Sequence, residues 1–532
     1  MIVLVDYASP SLLDSTGDAT TVGLSTNLRR RVRFHGLVRQ HGFMLRIALR
    51  ALGEVIWSND MWFAQSDLLD PVITVHRDRI FFEAFSQDQS AYVSLIVDPS
   101  VFESMGEVVS GTTNIDFTAW LWGALGEMRS SRSTVFRIGP EGFDVRTSAA
   151  GGRFEKKVEL PESWVRGFLQ VQAAMGMPGT RLAVKPIDLL AAVRFLRYAK
   201  AKVSPRAIRY EFEPGQCARL VLEPWERVVH LEGAEHNYTE LKSTRVWGRR
   251  RLKLIEGLLP FAEGVDIYLK GRALPSFYAV KLPGMTFLLG LTGSSESGFT
   301  GTGGFDLLAE AAAGDDEHLE PALALLRQRQ HASINAVASA LGITAPAAFR
   351  VLVRLCRQGR VMFDVESQEY RHRELFEIAA DEATYFPPDR RRELADGLIA
   401  ANRVRVDSAV AEETKKVRSF KDPNSGEAKQ KIVREITYRD WRIIGAAGDQ
   451  AAVEIVVNDI GRIIFGRCGC PHFAEHLMNR GPCEHMLALF KMSVELRSDR
   501  PSSAPANAAA SGSPRKQPSR WEVDGAPTET SE

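Results

Sequence analysis

The stretch Cys468-Gly-Cys470-Pro-His-Phe-Ala-Glu-His476-Leu-Met-Asn-Arg480-Gly-Pro482-Cys483-Glu-His485 decides how the C-terminal part of this chain folds. It gathers three of the five cysteines in 532 residues, two of them one residue apart and the third twelve residues later, two places before a histidine. A metal accounts for that economy better than buried thiols do. Zinc takes four soft or borderline donors in a tetrahedron, and three thiolates with one imidazole form a closed structural set. Four protein ligands leave no position open for substrate or activated water, so the expected site is a staple and not a catalyst. With a neutral imidazole the zinc centre would carry about one negative charge. His472 and His476 are competing ligands in the spacer, ranked behind Cys483 and His485 because that pair already completes the set.

Outward from the cysteines, Gly469 is expected to let the backbone turn tightly, having no Cβ to clash. Pro482 favours an extended approach to the second pair. Residues 483–492 have helix composition, with Met486, Leu489 and Phe490 at three- and four-residue spacing. Upstream, 452–457 and 461–465 are β-branched or apolar runs split by Asn458-Asp459, a hairpin signal. The expected unit is therefore two or more strands, a metal turn, a loop and a helix.

Cys-x-Cys, a spacer, then Cys-x-His leading into an apolar helix resembles the SWIM zinc finger. The resemblance implies Zn2+ held by Cys468, Cys470, Cys483 and His485. Three further segments, Asp70-Pro-Val-Ile-Thr-Val75, Gly111-Thr-Thr-Asn-Ile-Asp116 and Glu155-Lys-Lys-Val-Glu-Leu-Pro161-Glu-Ser-Trp164, resemble the N-terminal part of a group of bacterial SWIM proteins. That second resemblance implies partnership with a MoxR-type AAA+ ATPase and a von Willebrand A domain protein, and transfers no catalytic residue.

Composition is ordinary for globular domains, 45% hydrophobic and 25% charged, and a net charge of +1 excludes a globally basic nucleic-acid coat. No stretch approaches the roughly 18 apolar residues of a membrane span. Met-Ile-Val-Leu-Val-Asp-Tyr7 lacks a basic leader followed by an apolar core. Cys217 and Cys356 stand apart, which with a thiolate site points to a reducing cytosol.

Residues 316–378 form the second informative region. Ala322-Leu-Ala-Leu-Leu326 starts one helix, Ser333 caps another, and Leu341-Gly342-Ile343 turns into a third capped by Thr344. Gly359-Arg-Val-Met-Phe-Asp-Val365 and Glu369-Tyr-Arg-His-Arg373 read as two strands. Three helices and a wing in that order resemble a winged helix-turn-helix. On its third helix Phe349, Leu352, Val353 and Cys356 share one face, and Arg350, Arg354 and Arg357 form a stripe on the other. Arginines there would clamp phosphates, or else form an exposed charged face on a winged helix used for protein contact. The helix start, Thr344-Ala-Pro-Ala-Ala348, offers almost no donors for reading base edges.

The expected fold class is multidomain α+β: an antiparallel β/helix N-terminal region, a winged helix-turn-helix and a small zinc-stapled ββα SWIM domain. The expected domains are 1–175 (α+β), 176–315 (a second α+β domain or lobe), 316–378 (winged helix-turn-helix), 379–432 (helical connector), 433–500 (SWIM) and 501–532 (disordered tail). In the first 300 residues, 35–57 reads as a long helix or helix pair. Strands are expected at 70–76, 80–85, 91–97, 134–138, 142–147, 154–158, 207–213, 218–222, 228–231, 265–269 and 277–282, and a basic helix at 245–253.

Enzyme signals are weak. The glycine-rich 290–304 lacks the lysine of a phosphate loop. Cys356 on an apolar helix face reads as a buried structural thiol, and no carboxylate spacing is diagnostic of acid–base chemistry. The runs Arg29-Arg-Arg-Val-Arg33, Arg249-Arg-Arg251 and Arg390-Arg-Arg392 read as solvated faces. The first functional reading is a non-enzymatic adaptor that binds a protein partner. The alternative is a DNA-binding protein using Arg350, Arg354 and Arg357, helped by Arg462, Arg467 and Arg480 near the zinc.

Overall fold

Ala91–Val97, Ile80–Phe85 and Met285–Leu291 are mostly apolar on both faces and buried throughout, and strands of that kind need cover on both faces. The computed structural model supplies it. It describes residues 3–15, 19–57, 70–129, 131–140, 156–160, 162–200, 207–246, 248–270, 275–292, 299, 317–386, 390–421, 431–457, 463–477, 481–493 and 522–523. The chain divides into two compact units, Met1–Phe386 and Pro387–Glu532.

The first unit is organised by an eight-stranded antiparallel sheet, in the order Gly179–Val184, Gly264–Lys270, Ser276–Leu282, Met285–Leu291, Ala91–Val97, Ile80–Phe85, Val72–Val75, Gly111–Asn114. One face carries Ile80, Phe82, Val93 and Leu95 into a core shared with helix Gly42–Trp57. The other carries Phe81, Phe85, Tyr92 and Ile96 against helix Glu162–Met175. That helix is buried at every position from Trp164 to Met175 except Arg166, Gln170 and Gln172 included. A five-stranded sheet (12–14, 19–25, 133–139, 34–38, 102–104), a four-stranded sheet (227–230, 219–222, 208–212, 242–246) and the pair Val3–Tyr7 with Lys156–Leu160 are the other sheets among the described residues before 300.

Several expectations need correction. The boundary at 175 falls inside the eight-stranded sheet, which takes strands from both sides of it. His35 lies in strand Phe34–Val38, and the helix starts only at Gly42. The basic helix at 245–253 is instead the end of strand Lys242–Val246 followed by a 3-10 helix, Arg249–Ile255. Gly248, at φ +86°, breaks the path between them. The physical reason is ionic. Arg245 Nε lies 3.0 Å from Glu223 Oε1, and Arg249 is buried with its guanidinium 4.9 Å from the Trp225 ring centroid. The strand expected at 142–147 lies outside the described residues, as does most of 290–304.

Residues 317–386 close the first unit. Helices Leu319–Arg329, Ile334–Leu341 and Ala345–Arg357 are followed by strands Val361–Asp364 and Glu369–His372, with the short strand His331–Ala332 on the outer side of the latter. Ser333 accepts from Ala336 N and Thr344 from Ala347 N, and Gly342 ends the second helix at φ +67°. Helix Ala345–Arg357 packs Ala348, Val351, Leu352 and Leu355 into the core shared with Glu162–Met175.

A polar network crosses that core. Glu83, wholly buried on the central sheet, accepts from Tyr92 Oη (2.6 Å), Gln172 Nε2 (2.8 Å) and Arg373 Nη1 (2.7 Å). Gln172 Oε1 accepts from Phe363 N at 3.0 Å. Nearby, Arg371 bonds Asp364 (2.8 Å) and Asp78 (2.9 Å).

His76 sits beside this network. Burial first, then the Arg371 charge, lowers its pKa to about 4. The unfolded chain therefore protonates first, near pH 6.5. The stability that His76 contributes is present above that pH and is lost as pH falls toward 4, by up to about 3 kcal/mol. A His76→Gln variant should lose less stability than the wild type between pH 6.5 and 4 in urea titrations, and parallel curves would refute this.

In the second unit, helix Arg390–Ala400 precedes four consecutive antiparallel strands, Val404–Lys421, Lys431–Ala447, Gln450–Val457 and Ile463–Arg467. The expected helical connector is therefore wrong beyond residue 403. Val404-Arg-Val406 and Ser408-Ala-Val410 pair as a strand with 442–447 across a bulge at Asp407. The tail from 501 lies outside the described residues except for Glu522–Val523, a two-residue strand paired with 432–433. Among the described residues no single helix is long and apolar enough to cross a membrane.

Candidate metal centre

Cys468 and Cys470 lie just past the end of strand Ile463–Arg467, and Cys483 is the N-cap of helix Glu484–Met492, whose first turn holds His485. That helix buries Met486, Ala488 and Leu489 against Ile443, Val453 and Ile455 of the sheet, with Phe490 partly covered. Packing of the helix thus carries the second ligand pair to the first. One ligand atom from each of Cys468, Cys470, Cys483 and His485 lies within 4.8 Å of every other, and all four residues are buried. A tetrahedral ion with metal–sulfur bonds of roughly 2.3 Å needs donors about 3.8 Å apart, so the four fit with small closure.

The spacing of the thiols leaves clear electrostatic marks. The neighbouring Cys468 thiol, followed by burial, pushes Cys483 up to about 12. The Cys483 contact raises His485, against the effect of burial. Cys468 is lowered, first by the same contact with Cys483. Cys470 is raised, first by burial, although its sulfur accepts from Phe473 N at 3.5 Å. Three thiols and an imidazole that crowd one another in this way are the donor set that a divalent ion reorganises, since it binds the deprotonated forms.

Two details were not legible beforehand. The spacer is not merely a loop: Pro471–His476 is a short helix, N-capped by the Cys470 sulfur. Its histidines, with ring centroids 5.0 Å apart, lie outside the four-residue cluster. Gly469 lies close to Gln450, a contact that the sequence does not reveal. It is absent from the glycines with positive φ, and a Cβ there would lie 2.8 Å from Gln450 Oε1. No left-handed turn is involved, and the end of the Gln450 side chain could shift to admit a Cβ.

Helix Arg390–Ala400 is part of the same packing. Ala395 is buried in the core that holds the cysteines, Asp396 bonds Lys491 Nζ at 2.6 Å, and Arg391 Nη1 donates to Pro482 O at 3.3 Å. A cavity of about 320 Å3 opens beside His485, between this helix and Glu484.

The remaining predicted site residues are less exposed than expected. Arg350, Arg354 and Arg357 are all half-buried. Arg354 Nε lies 3.5 Å from Glu382 Oε1, and the Arg357 guanidinium sits 4.1 Å from the Phe386 ring centroid. Of the arginines around the metal, Arg467 is exposed, whereas Arg462 and Arg480 lie outside the described residues. Cys356 is fully buried, and burial raises its thiol to about 12.

A β-sheet whose last strand and packed helix share a three-cysteine, one-histidine cluster defines a zinc-finger-type metal module. Residues 453–493 match the family model of the SWIM zinc finger, and the chain carries a SWIM zinc finger there. No curated protein matches the chain at a significant level. Among solved structures, the proliferating cellular nuclear antigen of Entamoeba histolytica is 13% identical, with a TM-score of 0.32 over 49% of this chain and 98% of that one. The A. fulgidus PCNA bound by a C-terminal region of FEN-1 is 12% identical, with a TM-score of 0.33 over 50% and 99%. Likenesses this weak carry no argument about function.

Proposed function

We propose that this chain is a non-enzymatic, cytosolic adaptor whose Zn2+-stapled SWIM unit and winged helix present surfaces to a protein partner. The winged-helix reading rests on the order helix, strand, helix, helix, strand, strand between 319 and 372. The zinc reading rests on the Cys3His donor set and its fit to a tetrahedron. By the family resemblance the partner is a MoxR-type AAA+ ATPase or a von Willebrand A domain protein. One observation favours protein over DNA. Two of the three arginines on helix Ala345–Arg357 lie against Glu382 and Phe386 of the same unit, which makes them less available to clamp phosphates.

Capture with the tagged full chain from native lysate, before and after nuclease, tests the proposal. Retention of an ATPase or von Willebrand A protein after nuclease is expected. The competing DNA reading expects an affinity that falls steeply with salt and weakens when Arg350, Arg354 and Arg357 become alanine. Observing that pair of effects would displace the adaptor reading.

A further inference from the structure

The turn between strands Lys431–Ala447 and Gln450–Val457 lies across both halves of the metal cluster. Gly448, at φ +63°, approaches His485 so closely that a Cβ would lie 3.3 Å from the ring Nε2 and Cδ2. Gln450 reaches Gly469 on the other side. Between them, Asp449 Oδ1 lies 3.2 Å from His485 Nε2. The other ring nitrogen, Nδ1, is buried and has no hydrogen-bond partner among the described residues, with the Glu484 carboxylate at 3.7 Å. One edge of the imidazole thus meets an acceptor, and the other is left for a ligand bond.

We propose that Asp449 is the positioning residue of the metal centre: it accepts from Nε2–H, fixes that tautomer, and leaves Nδ1 as the ligand atom. This rests on the metal reading above and adds to it a residue outside the matched span 453–493. A ligating histidine generally needs its second nitrogen held in this way, and loss of the holder weakens metal binding ten- to a hundredfold. Asp449 is 74% exposed, so the effect here belongs at about tenfold, the lower end.

The full chain loaded with zinc, and separately with cadmium-113, provides the test. In a competition with a chromophoric chelator, Asp449→Ala should bind zinc about tenfold more weakly than wild type, and Asp449→Asn, which keeps an acceptor oxygen and the turn, should fall between. In nitrogen-15 spectra of the cadmium form, the metal should couple to Nδ1 of His485, and the Nε2 proton should exchange faster in Asp449→Ala. Coupling to Nε2, or equal zinc affinity in all three proteins, overturns the proposal while leaving the metal site standing. A wild-type chain that holds no zinc overturns the metal reading itself, and the role of Asp449 with it.

Discussion

Cys483→Ala is expected to abolish metal binding at the Cys3His cluster and to loosen the second unit. The residue is fully buried, caps the helix that carries His485, and lies in the core with Ile443, Val453 and Ile455. Its loss leaves two thiols and one imidazole, too few for a closed tetrahedron, and removes a binding free energy that in zinc-finger peptides is about 10–16 kcal/mol. Part of that loss should be cushioned because the sheet also packs on helix Arg390–Ala400. Amide exchange should therefore rise sharply in 484–492 and 450–457 while 80–97 in the first unit stays protected. His485→Ala should behave alike. Affinity should also depend on pH with a fixed sign. Protons compete for the thiol that Cys468 holds up to about 12, so zinc binding strengthens as pH rises through neutrality. Stoichiometric zinc in Cys483→Ala would overturn the ligand assignment.

The second large effect is expected at Arg373, whose side chain is wholly buried and paired with an equally buried Glu83. Arg373→Met leaves the Glu83 carboxylate in the core with only Tyr92 and Gln172 as donors among the described residues. Removing one partner of a buried pair costs about 3–5 kcal/mol, because the remaining charge loses its compensation. Glu83→Met in the same chain should restore much of it, since an apolar pair of similar volume is often neutral. Urea midpoints of the two single variants and the double variant give the coupling directly. A double variant no more stable than Arg373→Met would mean that Glu83 is held mainly by Tyr92 and Gln172.

Much of this fold was legible because its signals are local. Val72–Val75, Ile80–Phe85 and Ala91–Val97 announce themselves as apolar runs between turns, and Ser333 and Thr344 as caps. The four ligands were legible because spacing alone brings soft donors together. What escaped depends on contacts between distant residues. Met285–Leu291 follows Pro283-Gly284, a turn signal that was present and unused. The arginine stripe follows from helical period, but nothing in that period tells that Glu382 and Phe386 fold back over it. Strand Val404–Lys421 was hidden by its charges, which suit a connector equally well. Asp449 has no metal-ligand spacing at all; only the turn that follows Ala447 carries it to His485.

Helix Arg390–Ala400 has a practical consequence for anyone cutting this chain. A fragment trimmed to 453–493 would lack that helix and both strands between 404 and 447. It would expose Met486, Ala488 and Leu489 and leave Gln450–Val457 shortened, with one hydrogen-bonding edge unpaired. Bare apolar surface beside an open strand edge invites aggregation. The smallest soluble piece that keeps the cysteines should begin near residue 387, well upstream of the motif that first draws the eye.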